Sequence, residues 1–231
     1  MSCSLMPGRS SAIPISSLIL VICLTISSSA QNSDPKFLSA PEFILSADAV
    51  AAGIDGVFKV SLSIDEAGNV KNVRLYGDPI WPCDTSPKRE LAEVRTAVEA
   101  HLRTLKFSPS MKNGKPRDSD VMLEFAIGEA FRRAAAVDGP KDNTSPKLVK
   151  GGVLNGRATR LVKPLGPVTK GTAEVQVLID EQGVVSKAGV MSGNPVLFTT
   201  VRQAACASKF SPTFLGGKAV KVTGSILYII Q

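Results

Sequence analysis

The chain has 231 residues, a formal net charge of +7 and 44% hydrophobic residues, which allows one or two domains, each with a core of its own. It has one histidine, and its four cysteines form no C-x-x-C pair, so the common metal-binding spacings are excluded. Lys141–Lys170 holds seven basic residues against Asp142 alone, while the rest of the chain beyond Arg9 is balanced. A charge excess confined to one connecting stretch argues against a nucleic-acid surface spread over a domain.

Arg9 is the only charged residue before Asp34, and the apolar run AIPISSLILVICLTI follows from Ala12 to Ile26. Small residues at Ser28 and Ala30 come next. A positive start, an apolar centre and a small-residue site have the order of a secretory signal peptide, with cleavage expected after Ala30. The run is shorter than the roughly 20 residues a spanning helix needs. The expected location is therefore periplasmic or secreted, with an inner-membrane anchor through residues 12–26 as the alternative. Export leaves Cys83 and Cys206 in an oxidising compartment. Two isolated thiols are the favoured expectation, and a bridge between them is the alternative.

A repeat follows. DGVFKVSLSIDEAGNVKNVRLYGDP from Asp55 to Pro79 matches KGTAEVQVLIDEQGVVSKAGVMSGNP from Lys170 to Pro195. Phe58, Val60, Leu62 and Ile64 alternate with polar residues, as do Ala173, Val175, Val177 and Ile179; period two with one apolar face predicts a half-buried strand. Asp-Glu-x-Gly then predicts a turn closed by glycine, making a hairpin. Between hairpin and helix the first copy alone has an insertion around Ile80–Lys88 with Trp81, Pro82 and Cys83. It is expected to fold back onto its own core, as lone aromatics usually do.

Helical spacing follows at Val94, Val98, His101, Leu102 and Leu105, and at Leu197, Val201, Ala204, Ala205 and Ser208. Lys106-Phe107-Ser108-Pro109 and Lys209-Phe210-Ser211-Pro212 stop each helix, since proline cannot continue it. The final strands are expected at Val121–Ile127 and Gly224–Ile230. The predicted fold class is α+β: two tandem β-β-α-β modules, each a three-stranded antiparallel sheet covered by one helix. The predicted organisation is a signal peptide over 1–30, a first domain over 37–130, a linker over 138–150 and a second domain over 151–231.

The catalytic patterns are missing. His101 falls on the apolar stripe of a helix, and no nucleophile elbow accompanies it. Asp65–Glu66 and Asp180–Glu181 sit at hairpin tips, where they favour the turn. No enzyme activity, metal or cofactor is expected.

The run Ile179-Asp180-Glu181-Gln182-Gly183, the Ser192-Gly193-Asn194-Pro195 turn, an Ala-rich helix, Lys209-Phe210-Ser211-Pro212 and the Gly217-Lys218 turn together resemble the TonB C-terminal domain family. The second copy, Gly171–Ile230, is the closer match and the first is divergent. The resemblance implies a periplasmic protein that binds an extended segment of an outer-membrane TonB-dependent receptor, or of another envelope protein, by β-strand addition, with a role in energy-coupled transport. Its partner-binding strand is expected to be the last one, with Val222, Gly224, Ile226, Leu227, Tyr228, Ile229 and Ile230 on a sheet edge whose backbone is unpaired. Such an edge can also pair with a second copy, giving a homodimer. The alternative function is a structural envelope protein that holds peptidoglycan or anionic polymers through Lys147, Lys150, Arg157 and Arg160. No nucleic acid is expected.

Overall fold

The computed structural model describes residues 32–128, 148–165 and 170–230. The signal segment, most of the 138–150 join and Lys147 lie outside the described residues. The first module carries β1 (Phe37–Ser39), α1 (Ala47–Ala51), β2 (Gly56–Ile64), β3 (Val70–Tyr76), β4 (Trp81–Pro82), α2 (Lys88–Leu102), β5 (Lys106–Phe107), β6 (Ser110–Lys112), β7 (Lys115–Arg117) and β8 (Ser119–Ile127). The second carries β9 (Leu148–Val153), β10 (Ala158–Arg160), β11 (Gly171–Ile179), β12 (Val185–Gly193), α3 (Phe198–Ala207), β13 (Lys209–Phe210), β14 (Thr213–Leu215) and β15 (Lys218–Ile230). The fold is α+β.

The alternation read from the sequence sets the two cores. Phe58, Val60, Leu62 and Ile64 on β2 are fully buried, as are Val175 and Val177 on β11. Burying each such side chain contributes about 1.5–3 kcal/mol, so the central strands anchor their modules. Val94, Val98 and Leu102 of α2 close the first core, and Val201, Ala204 and Ala205 of α3 close the second. His101 is half-buried between the rings of Phe43 and Phe125, at 5.1 and 5.5 Å, and this burial pushes its pKa down. It packs.

Each hairpin turn is tied to the Phe-Ser-Pro turn of its own module. The Asp65 carboxylate accepts from the amides of Asn69 and Ala67, which lower its pKa. Asp180 accepts in the same way from Gln182 and Val184. Gly68 and Gly183 both have φ of +82°, and their carbonyls accept from the amides of Phe107 and Phe210. A Cβ on Gly183 would lie 2.0 Å from the Phe210 carbonyl oxygen. Gly183→Ala is therefore expected to destabilise the protein by at least roughly 1–3 kcal/mol, the cost of a non-glycine residue in that backbone region. Denaturant unfolding of the variant checks this.

The first sheet has the predicted three antiparallel strands, ordered β3-β2-β8. The second is larger than predicted. Its β12-β11-β15 centre gains β4 on the β12 side, while β14 and β9 pair with β15, β9 in parallel. The residues 148–150 read as the end of a linker are therefore the start of a strand.

The insertion departs from its expectation. The Trp81 ring packs on the first core, but the backbone there crosses to the second module. Asp78 donates to the Val190 carbonyl at 2.6 Å, Trp81 pairs with Ala188, and Cys83 donates to the Ser186 carbonyl at 3.1 Å. Gly189 permits this approach, because a Cβ there would lie 1.9 Å from the Pro79 carbonyl oxygen. Cys83 and Cys206 form a disulfide with a Cα–Cα distance of 5.6 Å, so the favoured expectation of two free thiols is corrected. The strand pairing brings Cys83 beside α3, a proximity that two cysteines in a sequence do not reveal.

Arg202 of α3 clamps the same strand. Its guanidinium donates to the carbonyls of Pro82, Trp81 and Ala188 at 2.7, 3.2 and 3.0 Å, and lies 4.0 Å from the Trp81 ring centre. Burial lowers its pKa to about 10, still far enough above neutral to keep it charged. Lys59 on β2 and Glu174 on β11 add an ion pair at 2.7 Å between the modules.

Candidate partner-binding edge

The predicted partner-binding strand is β15, and the pleat divides its residues. Val222, Ile226 and Tyr228 are buried against the second core, and Ile230 packs beside them. Leu227 and Ile229 face outward, at 39% and 66% exposure. Gly224 lies on the core-facing row, between Val222 and Ile226.

The backbone edge of this strand is not bare. β14 pairs with Lys218–Val220, and β9 pairs in parallel from Lys221 to Ser225. Beyond β9, Leu154 donates to the Ser225 carbonyl at 2.9 Å. The Asn155 side chain then donates to the Leu227 carbonyl at 2.7 Å and accepts the Leu227 amide at 2.9 Å. The expectation of an unpaired edge along residues 222–227 is corrected: the chain's own segment 148–155 lies there.

The last strand of the first module differs. Among the described residues, β8 pairs with β2 on one side and with nothing on the other. Aligning Ile64 with Ile179 sets Lys59 beside Glu174 in the repeat. Lys59 faces Glu124, and Glu174 faces Leu227. Glu124 thus has the position of Leu227, whose amide points away from its sheet. By the same phase the amides of Asp120, Met122, Glu124 and Ala126 point outward from β8, and those of Val121, Leu123 and Phe125 point toward β2. Met122 is 65% exposed, and Asp120 and Glu124 are exposed beside it. Asp120 accepts from the Ser63 hydroxyl, and Asp118 pairs with Lys71 at the start of the strand.

Of the four basic candidates, Lys147 lies outside the described residues and Lys150 contributes backbone to β9. Arg157 is exposed beside a groove of about 420 Å³ lined by Leu154, Phe210, Ser211 and Val222. Arg160 is exposed on β10. No group of histidine, cysteine and acidic residues among the described residues could hold a metal. No described helix is long and apolar enough to cross a membrane.

The family model described as the Gram-negative bacterial TonB protein C-terminal matches residues 45–127. Residues 45–127 form a TonB C-terminal domain. The match begins just before α1 and ends on the last residue of β8, so the open edge belongs to the matched TonB domain. It falls on the module that the sequence reading took as the divergent one. No curated protein matches the chain. The matched domain is of a kind found in Gram-negative bacterial TonB proteins, and it supports an envelope protein that interacts with outer-membrane proteins.

Proposed function

We propose that the chain is an exported periplasmic adaptor that takes an extended segment of an outer-membrane transporter, or of another envelope protein, as an added strand on β8. The observation that carries this reading is the open outer side of β8 at the end of the TonB domain. An unpaired strand edge offers a row of backbone donors and acceptors, which an extended peptide satisfies with little demand on its sequence. Strand addition here needs no catalytic group and no cofactor. Where the partner is a transporter, the role is in energy-coupled transport.

Cleavage after Ala30 fits the first module's contacts. Ser33 pairs with Met111, and the Asn32 side chain accepts the Asn113 amide at 3.0 Å, so these ties survive such a cut. The two modules act as one unit in this reading, because the disulfide and β4 join them.

A second reading is favoured by Arg157 and Arg160, which are exposed and make no ion pair among the described residues. They suit an anionic cell-wall polymer. Capture from a solubilised outer-membrane fraction, run beside sedimentation with isolated peptidoglycan, separates the two. Strand addition predicts retention of outer-membrane proteins that persists in salt, since backbone pairing is not screened. Sedimentation with peptidoglycan that disappears as salt rises, with no outer-membrane protein retained, overturns it in favour of the second reading.

A further inference from the structure

We propose that the chain offers one acceptor edge rather than two, because the second module fills its own edge with residues 148–155, and that Gly224 decides which module does so. The inference rests on the strand-addition reading above and names which copy carries it out.

Segment 148–155 is built into the second module. After β9 the chain turns at Leu154, whose side chain is 2% exposed and belongs to the second core with Val175 and Ile226. Gly224 makes the space. A Cβ on Gly224 would lie 2.7 Å from the Gly152 carbonyl oxygen and 2.7 Å from Leu154 Cδ1. Contacts that short require the segment to move. Leu154 thus supplies, from a neighbouring segment, the apolar volume that β15 lacks at this point on its core-facing row. Gly151 is part of the same fit, since a Cβ there would lie 2.9 Å from Leu154 Cδ2.

The first module has a side chain where the second has this hollow. Leu62 faces Val121 on β8, and Val177, which has the place of Leu62 in the repeat, faces Gly224. Val121 is partly buried against the first core and fills that core from within. A segment that needs to sink a leucine beneath the strand has no seat there. The result, among the described residues, is one sheet closed by its own chain and one left open, from this difference between the two modules.

Amide hydrogen exchange on the full-length oxidised protein tests this. In the wild type the amides of Leu154 and Leu227 are expected to be protected. In Gly224→Val, a substitution that suits a strand, both should exchange at least about tenfold faster, while Val177 on the central strand keeps its protection. Leu154→Ala provides a second route should Gly224→Val fail to fold, with the same expected loss at Leu227. Adding a synthetic peptide with the sequence of residues 148–155 should restore protection of Leu227 in Leu154→Ala but not in Gly224→Val. Exchange of Leu154 and Leu227 in the wild type as fast as in an exposed turn overturns the proposal, as does undiminished protection in folded Gly224→Val. No partner enters this readout, so its failure is separate from a failure to capture outer-membrane proteins.

Discussion

Replacing Cys83 and Cys206 together by serine is expected to lower the stability of the protein by several kcal/mol. The two residues are separated by 123 positions. Closing a loop of that size in the unfolded chain has an entropic cost of about 5 kcal/mol at 25 °C, and the disulfide removes that cost from folding. Native domains are stable by only about 5–15 kcal/mol, so the loss is a large share of the total. The effect should concentrate at the junction between the modules. Without the bond, β4 is held on β12 by a few backbone pairs and by Arg202, whose contact with the Trp81 ring is worth roughly 0.5–2 kcal/mol. Trp81 is the only tryptophan. Its fluorescence therefore reports the junction, and circular dichroism reports both sheets. In the serine variant the fluorescence transition should move to lower denaturant and separate from the loss of sheet signal. Coincident transitions at the wild-type midpoint would show that the bond adds nothing. Reduction of the wild type should reproduce the variant.

The hairpins were legible because their signals are local. Period-two apolar rows, Asp-Glu-x-Gly turns and the Lys-Phe-Ser-Pro stop each specify structure within a few residues, and all of them form in both modules.

The two additions to the second sheet are long-range pairings, and local pattern carries little trace of them. Residues 148–153 read LVKGGV, where lysine and paired glycines look like a linker. A signal was nonetheless present in the partner strand. Gly224 interrupts the apolar row of Val222, Ile226 and Tyr228, and a glycine inside a strand often marks the close approach of another backbone. Gly189 carries the same mark on the opposite side, where Pro79 and β4 come in. The insertion misled because packing a lone tryptophan and pairing its backbone are independent choices. The ring of Trp81 does lie on its own core, while the peptide groups beside it bond to β12.

Proline at Met122 should abolish most partner binding while leaving the fold intact, and proline at Leu227 should not. In β8 the amides of residues 121, 123 and 125 serve the ladder to β2, and those of 120, 122, 124 and 126 face outward. Met122→Pro therefore deletes a donor that only an added strand uses, and its ring projects into the space that strand needs. Proline is tolerated on edge strands when its nitrogen faces away from the sheet. Each lost hydrogen bond has a net value of about 0.5–1.5 kcal/mol, and tenfold in affinity corresponds to 1.4 kcal/mol. Met122→Pro with Glu124→Pro should thus weaken binding by about 5- to 150-fold, more if the rings also exclude the incoming backbone. Leu227→Pro removes an amide that Asn155 already holds, so it should loosen the 148–155 segment and leave partner binding unchanged. Replacing Met122 by alanine keeps its amide and should cost little, which separates backbone pairing from side-chain contact. Binding of an outer-membrane protein captured by the wild type, measured against each variant after its fold has been checked, reads all four. Full binding by a folded Met122→Pro/Glu124→Pro chain, together with loss in Leu227→Pro, would move the acceptor from β8 to β15.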